Sequence, residues 1–181
     1  NWALINVEKE FGITVHYVDD GIDKGDIIYQ EIFDITLQDN YKTLLEKAYL
    51  HCPIVLLKSI NSIYDGTFSR IPQSSISKQG MYCSKRKSGD EILNGNQSSI
   101  RVFNFIRAIT YPFPGAINTI NGSKIKILSS EYIENAPNYI NIPGNLLCKE
   151  KDGFLVKTAD SYIKITKWES DQEIYTGMRL L

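Results

Sequence analysis

The sequence predicts an α/β chain in two parts, a β-hairpin with a long helix followed by a helix with a small β-barrel. Two strands, Ile13 to Val18 and Asp26 to Ile35, are indicated by β-branched and aromatic residues on either side of a short acidic turn. Five further short strands occupy the last third of the chain, and five strands of this length suggest a small barrel. A stretch rich in Gly, Ser, Gln, Lys and Asn separates the two parts.

The first part also contains the helical segments. Residues Asn1 to Phe11 are predicted to be the end of a helix that the chain enters midway. Apolar residues at helical spacing predict a long helix over Asn40 to Ile63, with Asp39 or Asn40 as its N-cap. Because a proline removes one backbone hydrogen bond and crowds the preceding turn, we expect this helix to kink or restart near Pro53.

The second part follows an interdomain linker that we expect to lie along the surface. We assign residues 1–64 to the first domain, 65–97 to the linker and 98–181 to the second domain. Apolar side chains spaced three residues apart, preceded by serines that can cap the N-terminus, predict a helix from Ser98 to Thr110. The prolines within Tyr111 to Ala116 are expected to end this helix. The strands are expected at Ile117 to Ile120, Lys124 to Ile133, Asn145 to Lys149, Phe154 to Thr158 and Tyr162 to Glu169.

Composition excludes several classes of protein. The chain is 43% hydrophobic and 23% charged, which is ordinary for a globular domain and argues against disorder. No apolar run approaches the roughly 20 residues that span a bilayer, so we expect a cytoplasmic protein without a membrane partner. Cys52, Cys83 and Cys148 form no C-x-x-C pair, so we interpret them as reduced thiols rather than as a disulfide framework or a zinc site.

The acidic turn is the stretch most suggestive of chemistry. Asp19, Asp20 and Asp23 place three carboxylates within five residues, next to glycines that allow the backbone to bend sharply. Such residues are common solvated turn formers, and they also suit a proton acceptor or a partner for histidine. His16, on the preceding strand, is interpreted as a packed structural residue and is left out of the catalytic set.

Two widely separated motifs resemble one enzyme family. The segments Asn1 to Asn6, Ile13 to His16 and Gly21 to Asp26 resemble the folate-dependent formyltransferases, whose loop has the pattern D-x-G-x-D-x-G-D. Roughly 80 residues later, Arg107 to Ala116 resembles the I-R-A…P-x-P-G-A signature that opens the second domain of those enzymes. The resemblance implies the remainder of a Rossmann-like formyltransferase domain followed by an OB-like β-barrel.

The resemblance also implies roles for particular residues. Asp23 is expected to be the catalytic aspartate, acting with an Asn and a His that would precede Asn1, so the chain alone is expected to be inactive. The cosubstrate is expected to be 10-formyltetrahydrofolate, and no metal is needed. Its pterin pocket is expected to be lined by Val18, Asp19, Asp20, Gly21 and Ile22. Residue type, rather than the resemblance, suggests Tyr82, Lys85, Arg86 and Tyr111 as candidate substrate-binding residues. Lys85 and Arg86 could equally be solvated linker charges, and Tyr111 and Phe113 could either stack on a base or plug the barrel.

The charge of the second part of the chain distinguishes between the possible acceptors of the formyl group. Residues 101 to 181 carry 10 basic and 8 acidic side chains. A protein that binds tRNA needs a more strongly basic surface than this balance gives. Together with the opening Asn1 to Asn6, this favours a nucleotide-linked (dTDP or UDP) amino sugar, as used in lipopolysaccharide or surface-glycan biosynthesis. Nucleic acid is not expected as a partner, and a homodimer is considered. The alternatives are a methionyl-tRNA formyltransferase and a non-catalytic binding or assembly module.

Overall fold

The computed structural model describes residues 1–180, which form two compact units. The first, here the sheet unit, comprises Asn1–Glu8, Leu37–Lys42 and the chain from Arg86 onward; the second, here the hairpin unit, comprises Lys9–Thr36 and Thr43–Lys85. The division into domains expected at residues 64 and 97 stays a prediction. The first residues join the sheet unit because α1 (Trp2–Ile5) packs against α4 (Ser99–Ala108) and fully buries Leu4.

The hairpin unit is built on two antiparallel strands. β1 (Glu10–His16) pairs with β2 (Ile27–Asp34), and Phe11 stacks on Phe33 across the pair at 5.3 Å between ring centroids. The two predicted strands are confirmed. The prediction of a helix reaching Phe11 is wrong, because the residues from Glu10 onward pair with β2 instead of continuing the helix.

The long helix of the chain is α2 (Tyr41–Tyr64), which is followed by the single turn α3 (Gln73–Ile76). Its start is confirmed, since the Asn40 side-chain oxygen accepts a hydrogen bond from the Lys42 amide at 2.9 Å. The expected restart at Pro53 is wrong: the helix continues through that residue, because one missing hydrogen bond is a small part of a 24-residue ladder. None of the helices within residues 1–180 is both long and apolar enough to cross a membrane.

The sheet unit contains one five-stranded antiparallel sheet. Its strands are β3 (Ala116–Ile120), β4 (Ser123–Tyr132), β5 (Leu146–Glu150), β6 (Gly153–Lys157) and β7 (Tyr162–Ser170), in the order β3-β4-β7-β6-β5. All five predicted strands are confirmed. A closed barrel is not present among residues 1–180, because the outer strands β3 and β5 form no ladder with each other. Isolated bridges join Ile120 to Leu180 and Asn145 to Arg179 instead.

Helix α4 covers the sheet and supplies much of its core. The buried side chains of this core include Val102, Phe103, Ile106, Ile125, Ile127, Phe154, Ile163 and Ile165. The predicted serine cap is replaced, since Ser98 makes no side-chain capping bond. The Asp160 carboxylate instead accepts hydrogen bonds from the Ser99 amide at 2.7 Å and the Ser99 hydroxyl at 2.9 Å. A residue distant in sequence therefore satisfies the first amide of the helix.

Candidate active site

The acidic loop is the segment from Val18 to Gly25 that connects β1 to β2. It is closed at its base by a hydrogen bond from the Tyr17 amide to the Asp26 carbonyl at 3.0 Å. A Cβ at Gly25 would lie only 1.7 Å from the Tyr17 carbonyl oxygen. Because no other residue can occupy that space, the glycine allows the two arms of the loop to approach each other.

Asp23 lies on this loop in a conformation that presents its side chain to solvent. Its φ is 54°, in the left-handed region that aspartate tolerates better than most residues, and its side chain is 83% exposed. The nearest cation candidate is His16, whose Nε2 lies 3.7 Å from the Asp23 Oδ1. The His16 Nδ1 lies 2.8 Å from the Tyr17 carbonyl oxygen and can donate to it. This hydrogen bond orients the ring with its other nitrogen towards the carboxylate.

The predicted linker contributes the support of the loop. The Gln73 side-chain amide donates to the carbonyl oxygens of Asp23 and Gly25, at 2.8 and 2.9 Å. Next to it, Ile71 forms two backbone hydrogen bonds with Ile27, the first residue of β2. Both carbonyls flanking Lys24 are thus held by one side chain that lies some 50 residues further along the chain.

Aromatic and charged contacts reinforce the same support. The Arg70 guanidinium lies 4.2 Å from the centroid of the Tyr17 ring, and its Nε lies 3.7 Å from the Asp26 carboxylate. The hydroxyl of Tyr82 donates to the Ile22 carbonyl at 3.4 Å, a long hydrogen bond. Residues 70 to 82 therefore hold the loop at both its base and its tip.

The residues expected to line a pterin pocket show an uneven pattern of exposure. Val18 is 95% exposed and Ile22 is 76% exposed, although both are apolar. Asp19 and Asp20 are exposed, and the Asp19 carboxylate accepts a hydrogen bond from the Gly21 amide at 2.9 Å. Two apolar side chains therefore flank a turn that carries two exposed carboxylates, and this combination suits a ligand with a flat ring and polar edges.

The four predicted substrate-binding residues are distributed between the two units. Tyr82 and Lys85 belong to the hairpin unit, and Arg86 and Tyr111 belong to the sheet unit. Within the sheet unit, Arg86 lines a cavity of about 330 Å³, whereas Tyr111, 70% exposed, lines another of about 510 Å³. Phe113 lies on the wall of both cavities.

Arg86 is already engaged with groups of its own unit. Its guanidinium lies 5.5 Å from the Phe105 ring centroid and 6.0 Å from that of Trp2, and it donates a hydrogen bond to the Asp90 carbonyl. Phe113 packs against Tyr41 with the ring centroids 4.6 Å apart. These contacts restrain the two side chains within the sheet unit.

Sequence reasoning did not identify two contributors to the loop. His16 was assigned a structural role, yet its Nε2 is the imidazole nitrogen that faces Asp23. Gln73 was placed in a surface linker, and no local pattern marks it, because its role depends on a contact between distant parts of the chain. For His16 a signal was present: it lies at the end of the strand that leads into the acidic turn.

Comparison with known proteins defines the protein family to which this chain belongs. The pattern of the family described as formyl transferase matches residues 1–59, and that of the formyl transferase C-terminal domain matches residues 85–178. The chain therefore belongs to the formyl transferase family, and the resemblance read from the two motifs is confirmed. The mixed α/β fold expected from that resemblance is confirmed with it.

Particular relatives fall into two groups. A methionyl-tRNA formyltransferase from Thermodesulfovibrio yellowstonii is 31% identical over 164 residues, which cover 91% of this chain and 50% of that protein. The N-formyltransferase from Helicobacter canadensis, in complex with folinic acid and dTDP-3-aminofucose, is 27% identical with a TM-score of 0.68, covering 92% of this chain and 59% of that one.

The structure of WlaRD, a sugar 3N-formyl transferase in the presence of dTDP and 5-N-formyl-THF, is a further relative. It is 25% identical with a TM-score of 0.69, and the match covers 96% of this chain and 59% of that one. This chain thus spans about half the length of the curated relatives that it matches.

Proposed function

We propose that the complete protein transfers a formyl group from 10-formyltetrahydrofolate to the amino group of a dTDP- or UDP-linked sugar. The observation that carries this proposal is the acidic loop, which presents the Asp23 carboxylate to solvent in a backbone conformation held by Gln73. The similarity to sugar N-formyltransferase structures that contain folates and dTDP or a dTDP-sugar supports both substrates.

The folate is proposed to lie against the acidic loop. Val18 and Ile22 offer apolar contacts for a pterin ring, and the carboxylates and backbone groups of Asp19, Asp20 and Gly21 offer polar contacts for its edge. When bound, 10-formyltetrahydrofolate supplies the formyl carbon that the amine attacks. Burying two otherwise exposed apolar side chains would contribute favourably to binding.

Asp23 is proposed to accept or relay the proton that the attacking amine loses. As a neutral amine attacks the formyl carbon, its nitrogen becomes cationic and must lose a proton, while the carbonyl oxygen gains negative charge. The bond between the formyl carbon and N10 of the folate then breaks, and N10 takes up a proton as tetrahydrofolate leaves. The Asp23 carboxylate is an exposed acceptor on the loop, and it can also hold a histidine in the orientation that catalysis requires.

The charge of the sheet unit supports a sugar acceptor. Its largest segment, residues 101 to 181, carries 10 basic and 8 acidic side chains, and several of these lysines are paired. Lys126 pairs with Glu169 at 3.1 Å, and Lys164 pairs with both Glu150 and Asp152 at 2.9 and 2.8 Å. Lysines neutralised in this way contribute little to phosphate binding along a tRNA.

Methionyl-tRNA is the second candidate acceptor, and the identity to methionyl-tRNA formyltransferases is the observation that favours it. The two candidates are separated by offering the complete enzyme 10-formyltetrahydrofolate with either a panel of dTDP- and UDP-linked amino sugars or charged initiator tRNA. Folate release is followed at several salt concentrations. We expect turnover with a nucleotide-linked sugar; turnover with tRNA alone, falling steeply as salt rises, would overturn the sugar assignment.

A further inference from the structure

The larger cavity of the sheet unit, here the sheet pocket, has features that the reaction at the acidic loop does not use. It lies between α4, the segment Leu37–Asn40 and the irregular part of the β4–β7 ladder, and its volume is about 510 Å³. The register of the ladder shifts on both sides of Ser129. Bulges of this kind redirect side chains and are common beside binding sites, and the volume lies within the usual range for small ligands, about 300–1,000 Å³.

The sheet pocket is lined by one more positively charged side chain than negatively charged ones. The Lys126 ammonium is paired with the Glu169 carboxylate at 3.1 Å. Arg107 is buried, donates to the Asp39 carbonyl at 2.7 Å, and has a pKa that burial lowers and that the Asp39 carboxylate partly restores. The remaining charged residue of the lining, Lys167, is exposed and has no ion-pair partner among residues 1–180. The pocket therefore has a net charge of about +1 and favours an anionic ligand.

Polar and aromatic groups complete the wall. Ser130 contributes to the lining, and its Oγ is buried without a hydrogen-bond partner among residues 1–180. Buried hydroxyl groups are normally hydrogen-bonded, so Ser130 is an unsatisfied polar residue on the wall of the pocket. Phe113, packed on Tyr41, supplies a fixed aromatic surface, and the exposed ring of Tyr111 lies at the same cavity.

We propose that the sheet pocket binds the nucleoside diphosphate of a nucleotide-linked molecule. The diphosphate is placed at Lys167, with the hydroxyl of Ser130 nearby, and the base against the rings of Phe113 and Tyr111. An anionic group and a flat ring match a lining that combines one uncompensated cation with fixed aromatic surface. The choice of a nucleotide rests on the proposed function, whereas the cationic and aromatic lining is independent of it.

The test measures binding of dTDP and UDP to this chain by isothermal titration calorimetry, with thymidine, uridine and inorganic pyrophosphate as partial ligands. Two variants remove features of the pocket: Lys167→Met removes the free cation, and Ser129→Trp fills the cavity. Lys124→Met is the matched control, because Lys124 is an exposed lysine of β4 that does not line the pocket. Circular dichroism and thermal unfolding of each variant confirm that it is folded.

We expect dTDP or UDP to bind more tightly than the nucleoside or pyrophosphate alone. Lys167→Met should weaken binding about tenfold, the effect of losing one hydrogen bond to a charged group, and Ser129→Trp should abolish it. Lys124→Met should leave the affinity unchanged. Absence of binding at millimolar nucleotide, or equal losses in Lys167→Met and Lys124→Met, would overturn the proposal.

The outcomes for the pocket and for the proposed function are distinguishable, because one assay measures binding to this chain and the other measures turnover by the complete enzyme. Sugar formylation without nucleotide binding here would refute the pocket alone. Nucleotide binding that depends on Lys167, together with formylation of tRNA alone, would refute the proposed acceptor and leave the pocket standing.

Discussion

Replacing Asp23 with asparagine should abolish formylation by the complete enzyme while leaving the fold intact. Asparagine has nearly the same shape as aspartate and tolerates the left-handed conformation found here, φ 54°. It lacks the charge that would accept the amine proton or stabilise a histidinium. The substitution therefore removes the chemical group and preserves the geometry of the loop.

The two expected effects differ greatly in size. The Asp23 side chain is 83% exposed, and substitutions at such positions usually change stability by no more than about 0.5 kcal/mol. Its electrostatic attraction to a protonated His16, 3.7 Å away, is worth no more than about 1 kcal/mol in water. Loss of general acid–base catalysis costs about 10²–10⁴ in rate, equivalent to about 3–5 kcal/mol of transition-state stabilisation.

The assay compares kcat/KM for folate release with urea unfolding of the same variants. Asp34→Asn is the matched control, since Asp34 is an exposed carboxylate of the same hairpin that lies outside the acidic loop. We expect the control to retain its activity within a factor of a few. If Asp23→Asn keeps its activity within about tenfold of the parent, or loses activity only together with stability, the catalytic assignment is refuted.

Three further substitutions test the structure around these groups. Gln73→Leu removes two hydrogen bonds worth about 0.5–1.5 kcal/mol each, so amides of the acidic loop should exchange faster in hydrogen-exchange measurements and the free energy of unfolding should fall by about 1–3 kcal/mol. Gly25→Ala should destabilise the chain by about 2 kcal/mol or more in urea unfolding, because its Cβ would meet the Tyr17 carbonyl, whereas Gly80→Ala, in open space, should have little effect. Asp160→Ala should cost about 1 kcal/mol of stability at neutral pH, as for other helix caps, and this difference should disappear as the pH falls below about 4.

The pH dependence of the Asp160 effect follows from its surroundings. Burial alone would raise the pKa of this carboxyl, but hydrogen bonds from the amide and hydroxyl of Ser99 and the hydroxyl of Thr158 outweigh burial, so the pKa is lowered. A lowered pKa in the folded state means that the stabilisation is complete above the pKa of the unfolded chain. It is lost as the pH falls through the folded value. Unfolding midpoints of the parent and Asp160→Ala that stay equally far apart at pH 3 and pH 7 would contradict this reasoning.

Local sequence patterns were sufficient for the strands. In β4, Ile125 and Ile127 are buried and alternate with polar residues, and in β7 Ile163 and Ile165 do the same. Such alternation requires only that one face of the sheet meets the core, so it is visible in the sequence. Barrel closure was not predictable in this way, because it depends on whether two distant edge strands meet.

The helices show where propensity and tertiary structure compete. Pro53 was expected to interrupt α2, but the hydrogen bonds on either side of it maintain one continuous helix. The N-terminal segment was expected to be helical as far as Phe11, but pairing with β2 extends the strand to Glu10. At Pro53 the rest of the helix outweighed the local signal for a break, and at the N-terminus the pairing with β2 limited the helix.

The candidate site was only partly visible in the sequence. The carboxylates and glycines of the acidic loop formed a recognisable motif, and the exposed position of Asp23 agrees with a chemical role. The substrate residues were chosen by type alone, basic or aromatic, and Arg86 and Tyr111 line different cavities. Residue type indicates what a side chain can bind, but the fold determines which side chains act together.

The segment from Arg70 to Tyr82 connects these observations. It belongs to the stretch expected to be an interdomain linker along the surface, and it supplies Gln73 to the carbonyls of the acidic loop and Ile71 to the first residue of β2. A catalytic carboxylate on an exposed turn is useful only if the backbone holds it in one orientation, because a freely moving group loses the advantage of positioning. For the proposed catalytic carboxylate of Asp23 that restraint comes from Gln73, so we expect Gln73→Leu to lower the rate of formyl transfer by the complete enzyme.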